Sequence, residues 1–160
     1  MRLYLVRHGA AVSEEANPVR PLSPRGKVQA EKIARFLKPL GISVRSISHS
    51  EKLRAAQTAG VLAGSVTSGE GVRERSGLGP MDPVEPLADE LGRETGDLMI
   101  VGHLPFLGRL ASLLILGNPE REIVTFREAA AVCLEGTPNA GGLTGQEWRI
   151  AWTVTPETLP

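Results

Sequence analysis

The sequence has one cysteine, few aromatic residues and no long hydrophobic run, and each shortage removes a class of protein. Cys133 by itself permits no internal disulfide, and no Cys/His spacing typical of a zinc site is present. The longest apolar run, Leu110–Leu116, is far too short to span a bilayer. Met1–Val6 leads into charged and polar residues rather than into a secretion signal. We therefore expect a cytoplasmic protein that does not associate with membranes.

The chain also lacks an excess of charge of either sign. Its 18 basic and 18 acidic side chains cancel, so no overall field favours nucleic acid, and we expect none as a partner. A length of 160 residues fits one domain, residues 1–160, that is large enough to bury a core without disulfides or metals.

Three short apolar runs, each followed by a helical pattern, indicate an α/β fold. The predicted strands are Arg2–Val6, Ile42–Ile47 and Leu98–Val101. The first of the helices that follow them has Ser23 as its N-cap, the second begins near Ser50, and the third runs over Pro105–Leu116. The first has an apolar stripe of Val28, Ile33, Phe36, Leu37 and Leu40 that ends at Gly41. Apolar strands between helices are typical of a mainly parallel sheet with helices on both faces.

The remaining segments complete this outline. Ala10–Leu22 is predicted to be a loop, Gly64–Pro83 an irregular excursion, and Val84–Thr95 a helix stopped by Gly96. Partly antiparallel edge strands separated by glycine-rich turns are predicted for Ile123–Phe126, Ala130–Leu134 and Trp148–Val154. Trp148 and Trp152 have the same parity, so they should face one side of the sheet.

Two histidines stand where predicted strands end, which is the edge at which open α/β sheets bind ligands. His8 follows the first strand and His103 follows the third. Arg54, in the first turn of the second helix, should project to the same edge. A lone histidine at a strand end is often only a hydrogen-bonding group, but two at one edge favour a site.

Further positive charge and backbone donors should gather at this edge. Arg7 and Arg20 extend the basic cluster, and Gly9 offers a free backbone N–H. Guanidinium groups with free N–H groups suit a dianionic phosphoryl group, and neither a metal nor another cofactor is required. His49 is interpreted as a solvated loop residue, and Cys133 as a small buried hydrophobe.

The segment Leu5-Val6-Arg7-His8-Gly9 resembles the L-x-R-H-G signature of the histidine phosphatase superfamily. Later blocks resemble those of its small SixA-type phosphohistidine phosphatase branch. These blocks are Arg20–Ser23 with Gly26, Leu53–Ala55 with Gln57 and Thr58, and Gly102–Pro105. The resemblance implies a single three-layer α/β/α sandwich of the phosphoglycerate mutase-like type, with a mainly parallel sheet and an antiparallel edge.

The resemblance also implies a metal-independent, two-step phosphatase mechanism. An imidazole nitrogen of neutral His8 would attack phosphorus, and water would then hydrolyse the phosphohistidine intermediate. By the same comparison, Arg7 and Arg54 would hold the phosphoryl oxygens. His103 would bind one of them, best if protonated, and Arg20 would be an outer clamp.

One departure from the family pattern bears on the substrate. Larger members supply a glutamate as general acid, and only Asp82 is a candidate here. A departing imidazole can be protonated on its own ring, so the missing acid favours phosphohistidine. We expect a phosphorylated histidine-containing phosphotransfer domain of a signal-transduction relay as partner. Two alternatives stay open: a small-molecule phosphomonoesterase using Asp82 or Glu85 as acid, and a non-catalytic phosphoprotein-binding module.

Overall fold

The computed structural model describes residues 1–139 and 145–160 and contains a six-stranded sheet flanked by helices. The strands are β1 (Arg2–Arg7), β2 (Ser43–Val44), β3 (Ser46–His49), β4 (Thr67–Ser68), β5 (Val72–Glu74), β6 (Leu98–Gly102), β7 (Ala131–Pro138) and β8 (Gln146–Val154). The α-helices are α1 (Pro24–Leu37), α2 (Leu53–Leu62), α3 (Glu85–Leu91) and α4 (Phe106–Leu116). Short 3₁₀ helices span Lys38–Leu40 and Pro156–Thr158.

The main sheet has the order β5-β3-β6-β1-β7-β8, and a separate pair joins β2 to β4. The first four strands in that order are parallel, whereas β7 runs antiparallel to both β1 and β8. This arrangement confirms the mainly parallel sheet with an antiparallel edge.

Alternating side chains of the sheet form two separate cores. Leu3 and Leu5 face the layer that contains α3 and α4. Tyr4 and Val6 face the opposite layer, which contains α1 and α2. Because successive strand residues point to opposite faces, these four consecutive apolar residues are buried on both sides. The three-layer α/β/α prediction is confirmed.

The start of α1 follows its sequence signals, but part of the predicted stripe is wrong. Ser23 is the N-cap, and its hydroxyl accepts a hydrogen bond from the Gly26 N–H. Gly41 ends the segment in the left-handed conformation, with φ of 59°. Val28 of α1 and Leu40 of the following 3₁₀ helix are about half exposed, because the buried face of α1 runs through other positions. That face consists of Gly26, Gln29, Ala30, Ile33, Ala34 and Leu37.

Several predicted boundaries need correction. The second predicted strand is divided at Arg45 into β2, which pairs with β4, and β3, which pairs with β5 and β6 and extends to His49. The irregular excursion contains β4 and β5, whose exposed residues have no apolar period. Ile123–Phe126 forms no strand, and α3 ends at Leu91. Part of the predicted glycine-rich connection, residues 140–144, lies outside the described residues.

The two tryptophans of β8 face opposite layers, so their predicted common side is wrong. A β-bulge shifts the register with β7: Cys133 pairs with Trp152, but Leu134 pairs with Ile150. The additional residue reverses the alternation. Trp148 therefore joins the core beside α3 and α4, while Trp152 lies against Tyr4 with ring centroids 6.0 Å apart.

The loop after β1 lies directly against the first turn of α1, and two glycines make this contact possible. A Cβ atom built on Gly26 would lie 1.9 Å from the Ala10 carbonyl oxygen, and one on Gly9 would lie 2.5 Å from the Gly26 carbonyl oxygen. Real Cβ atoms do not approach backbone this closely. The glycine pair therefore sets the distance between α1 and the end of β1.

We expect Gly26→Ala to lower the free energy of unfolding by about 1–3 kcal/mol or more, because the methyl group must push the backbone of Ala10 away. Gly60→Ala is the matched control, since Gly60 is an exposed residue of α2 with nothing within 4 Å of the place that a Cβ would take. There the change should stabilise by about 0.5–1 kcal/mol through helix propensity. Urea unfolding of both variants checks the pair, and equal effects would contradict the proposed contact.

Candidate functional site

His8 is the first residue after β1 and is held through its backbone and its ring. Its N–H donates to Gly102 O at 3.0 Å, and its carbonyl accepts from Ala129 N at 3.0 Å. Ring atom Nδ1 lies 2.7 Å from Gly9 O. Because a carbonyl oxygen only accepts, Nδ1 must carry the proton and Nε2 must have the free lone pair. The residue is 8% exposed.

Arg54 reaches this lone pair from the first turn of α2. Its Nε donates to His8 Nε2 across 3.3 Å. Thr58, one turn later in the helix, donates its hydroxyl proton to Arg54 O at 2.8 Å. The position of α2 at the end of β3 therefore directs a guanidinium at the reactive nitrogen of His8.

Arg7, the last residue of β1, brings a second guanidinium to the cluster. Its Nη1 donates to Phe126 O at 2.9 Å, which fixes the side chain. Its Nε is buried and has no hydrogen-bond partner among the described residues. A buried N–H without a partner is costly, so it favours a ligand with an acceptor oxygen.

His103 lies beside His8 because β1 and β6 are parallel neighbours whose registers match. Arg7 pairs with Gly102, so the residues that follow both strands emerge together. The two rings have centroids 4.9 Å apart. Nε2 of His103 is hydrogen-bonded to Ser50 Oγ, whereas Nδ1 is buried without a partner in the described part of the chain.

Burial keeps both rings neutral. Burial first, then Arg54 and Arg7, lower the pKa of His8 to about 4, although the Gly9 carbonyl opposes the shift. Burial and the nearby His8 and Arg54 lower the pKa of His103 to about 3. Both histidines are thus neutral near pH 7 in the free protein, as expected for His8. The protonated form expected for His103 is disfavoured in the free protein, because the ring is buried and a second positive charge beside Arg54, Lys52 and Arg7 is unfavourable.

These shifts predict that the protein loses stability as the pH falls from about 6.5 towards 4. Both pKa values lie below the ordinary 6.5, so in this interval the unfolded chain binds more protons than the folded chain. The free energy of unfolding should fall by up to about 1.4 kcal/mol per pH unit for each histidine. Urea unfolding at pH 7, 6 and 5 tests this slope, with His8→Asn expected to reduce it. An unchanged slope in that variant would contradict the assignment to His8.

Arg20 lies close to the cluster, as its predicted role requires. Burial is the main cause that lowers the pKa of Arg54, and the charge of Arg20 is the next. The Arg20 backbone has φ of 52°, and its Nε donates to Val12 O at 3.2 Å. The Ala10–Leu22 loop is tied to α2 where Leu22 N–H donates to Gln57 Oε1 at 2.7 Å. The loop therefore brings its arginine to the side of the site formed by α2.

Two other predicted site residues are engaged elsewhere. The Gly9 N–H donates to Thr58 Oγ1 at 3.2 Å in a buried bond, so the prediction that it is free is wrong. The carboxylate of Asp82 accepts from Gly79 N at 2.7 Å and closes its own turn. Gly9 thus joins the loop to α1 and α2, and Asp82 stabilises the segment before α3.

The structure corrects the interpretation of His49 and adds Ser50 and Glu128 to the surroundings of the two site histidines. His49 was expected in solvent, but it ends β3, is buried, and has Nδ1 2.8 Å from Ser50 O. Ser50 is buried against His103. Glu128 is the nearby carboxylate that raises the pKa of His8 against the larger lowering effects, and it pairs with Arg25 at 3.5 Å. In the sequence Ser50 is marked only as the start of the second predicted helix, and Glu128 has no local signal.

Chemically, the cluster combines an unprotonated ring nitrogen with several cationic or N–H donors. The lone pair of His8 Nε2 can act as a nucleophile, and the nearby Arg54, Arg7 and His103 carry groups that can bind a tetrahedral oxyanion. Among residues 1–139 and 145–160, no three His, Cys, Asp or Glu side chains come together to hold a metal ion. No helix in this part of the chain has the length and apolar character needed to cross a membrane.

Comparisons with known proteins agree with this geometry. Residues 3–83 match the family model of the histidine phosphatase superfamily, branch 1. An uncharacterised protein of Picosynechococcus sp. is 32% identical over 127 residues, which cover 74% of this chain and 75% of that protein. The phosphohistidine phosphatase SixA of Escherichia coli is 28% identical over 144 residues, covering 87% and 89%.

A solved structure extends the likeness over the whole fold. The protein histidine phosphatase SixA complexed with tungstate superposes with a TM-score of 0.82 at 22% identity, covering 99% of each chain. This match confirms the phosphoglycerate mutase-like fold. The family match spans the elements that supply His8 and Arg54, and the structural match also covers those that supply His103.

Proposed function

The chain belongs to the histidine phosphatase superfamily, and from this premise we propose that it hydrolyses phosphohistidine on a protein by way of a phosphorylated His8. Membership identifies it as a hydrolytic phosphatase of a class that needs no metal. The identity of the substrate and the roles of individual residues are the content of the proposal.

The observation that supports it best is the protonation state of His8. With its proton on Nδ1 and its pKa near 4, the ring offers the Nε2 lone pair at neutral pH. Arg54 Nε donates a hydrogen bond to that nitrogen. A substrate oxygen that accepts this hydrogen bond instead would free the lone pair for attack. A purely structural role would require only the bond from Nδ1 to the Gly9 carbonyl and would not require an arginine beside Nε2.

Catalysis would proceed in two displacements. The Nε2 lone pair forms a bond to phosphorus as the bond from phosphorus to the substrate nitrogen breaks, and the leaving imidazole keeps a proton on its ring. Water then attacks the phosphorus of phosphorylated His8, which releases inorganic phosphate and restores the lone pair. Arg7 and Arg54 would stabilise the phosphoryl oxygens in both steps, with Arg20 as an outer contact and His103 as a further donor.

The leaving group supports phosphohistidine as the substrate. The Asp82 carboxylate accepts the Gly79 N–H at 2.7 Å and is thereby held in its own turn, which counts against a role as proton donor for an alkoxide. An imidazole needs less help to depart than an alkoxide does. The Escherichia coli relative is itself named a phosphohistidine phosphatase. We propose a histidine-containing phosphotransfer domain of a cytoplasmic signalling relay as the partner.

A second candidate function has one specific observation in its favour. Glu128 is a carboxylate close enough to His8 to affect its pKa, and a protonated carboxyl group near the site could serve an alcohol leaving group. This arrangement would suit a small-molecule phosphomonoesterase. Glu128 pairs with Arg25 at 3.5 Å, so its carboxylate already has a partner outside the histidine pair, which counts against that role.

The deciding experiment measures phosphate release from a histidine-phosphorylated phosphotransfer domain and from a phosphoserine peptide, with chelator present. The chelator suppresses metal-dependent contaminants, and His8→Asn controls for background. Fast release from the phosphoramidate alone, lost in the variant, supports the proposal. Preference for the monoester would favour the phosphomonoesterase. Phosphate binding without turnover of either substrate would favour the non-catalytic binding module.

A further inference from the structure

Ser50 joins the start of α2 to the ring of His103 in the interior of the site. It is fully buried between β3 and α2. Its Oγ is hydrogen-bonded to His103 Nε2 and also accepts from Lys52 N at 3.3 Å. Its backbone N–H donates to Val101 O of the neighbouring strand, which fixes the position of the hydroxyl.

The partners of this hydroxyl determine the direction of its hydrogen bond. Oγ already accepts the Lys52 N–H, and its own proton needs an acceptor. Among the described residues, the Ser50 hydroxyl has two hydrogen-bond partners, and of these Nε2 of His103 is the one that can accept the hydroxyl proton. A neutral imidazole that accepts at Nε2 must carry its proton at Nδ1. Nδ1 is the ring nitrogen of His103 that is buried without a partner in the described part of the chain.

We propose that Ser50 is a positioning residue that donates to Nε2 of His103 and thereby holds the neutral ring in the tautomer with its proton on Nδ1. In that tautomer His103 offers an N–H donor to a phosphoryl oxygen without first taking up a proton. The opposite tautomer would offer a lone pair at Nδ1, which repels an oxyanion.

The electrostatic surroundings fit a neutral donor. The charged and titratable groups that act on His103 are His8, Arg54, Lys52 and Arg7, and all of them, together with burial, oppose a positive ring. The arginines therefore supply the positive charge needed to bind a dianion. His103 supplies an uncharged N–H donor that orients one phosphoryl oxygen.

Nitrogen NMR of the full-length protein tests the tautomer directly. The chain contains three histidines, so spectra of His8→Asn and His49→Asn assign the third ring by elimination. At pH 7 we expect His103 to show a protonated Nδ1 and an unprotonated Nε2. The same pattern should persist in Ser48→Ala, a buried serine of β3 whose side chain contacts Ser46, and be lost or mixed in Ser50→Ala. A protonated Nε2 in the wild type would overturn the proposal.

Kinetics provide the second test, and only this part rests on the proposed function. We expect Ser50→Ala to lower kcat/KM at least about tenfold, as loss of a group that orients a histidine commonly does. Ser48→Ala should remain near the wild type, and Ser50→Thr should recover activity because it keeps the hydroxyl. Wild-type activity in Ser50→Ala would overturn the proposal. If no phosphoryl substrate is turned over, the proposed function fails while the NMR result still decides the tautomer.

Discussion

Replacement of His8 by asparagine should lower kcat for phosphate release at least about 10⁴-fold, because it removes the nucleophile while leaving the fold in place. The asparagine amide can still donate to the Gly9 carbonyl, so the bond made by Nδ1 is kept. What disappears is Nε2, the atom that faces Arg54. Steady-state phosphate release measures the loss, and an alkaline denaturing quench, in which acid-labile phosphohistidine survives, traps the phosphorylated enzyme.

His49→Asn is the matched control for this substitution. His49 also ends a strand, is also buried, and also has Nδ1 bonded to the next carbonyl, that of Ser50. His49→Asn should therefore lower the free energy of unfolding by about as much as His8→Asn does, but it should change kcat little. Equal losses of activity in the two variants, with equal unfolding midpoints, would show that His8 acts through the fold and would contradict its role as nucleophile.

Replacement of Arg54 by alanine should lower kcat/KM about 10³-fold, since an arginine directed at transferring phosphoryl oxygens contributes at least this much in comparable reactions. It should also raise the pKa of His8, because after burial Arg54 is the largest contributor to lowering it. That pKa should still stay below 6.5, since burial remains. Kinetics and an NMR titration of His8 measure the two effects separately.

Arg75→Ala provides the comparison for Arg54. Arg75 is partly buried and forms a bidentate ion pair with Glu90 of α3. Because this guanidinium is bound to a carboxylate rather than to His8, activity should change less than about twofold in Arg75→Ala. If Arg75→Ala lost as much activity as Arg54→Ala, the effect would come from the protein's overall positive charge and not from a contact of Arg54 with the phosphoryl group. Arg54→Lys should recover little, because an ammonium lacks the planar fork.

The strands and helices that surround the site could be predicted because their signals are local. Leu3–Val6 is apolar at every position, which is what burial on both faces of a parallel sheet requires. Ser23 with Pro24 marks the start of α1 through capping and a fixed φ. The exposed strand β5 has no such pattern, since an edge strand held by backbone bonds alone needs no apolar side chains.

Errors in the prediction arise where a contact crosses between elements. The opposite faces of Trp148 and Trp152 follow from one bulge relative to β7, and a bulge depends on the partner strand. The occupied N–H of Gly9 depends on Thr58, which is 49 residues away in the chain. Neither the bulge nor the hydrogen bond leaves a periodic signal in the sequence.

The family and the α/β architecture could be predicted from the amino-acid sequence, because strand burial, helix caps and the motif around His8 each depend on residues that are neighbours in the chain. The way in which His8, His103 and the arginines interact depends on the tertiary structure. The neutral state of both rings depends on burial, and the tautomer of His8 depends on where its ring meets a carbonyl. Protonation and hydrogen-bond direction are properties of the three-dimensional surroundings, which elements distant in sequence build together.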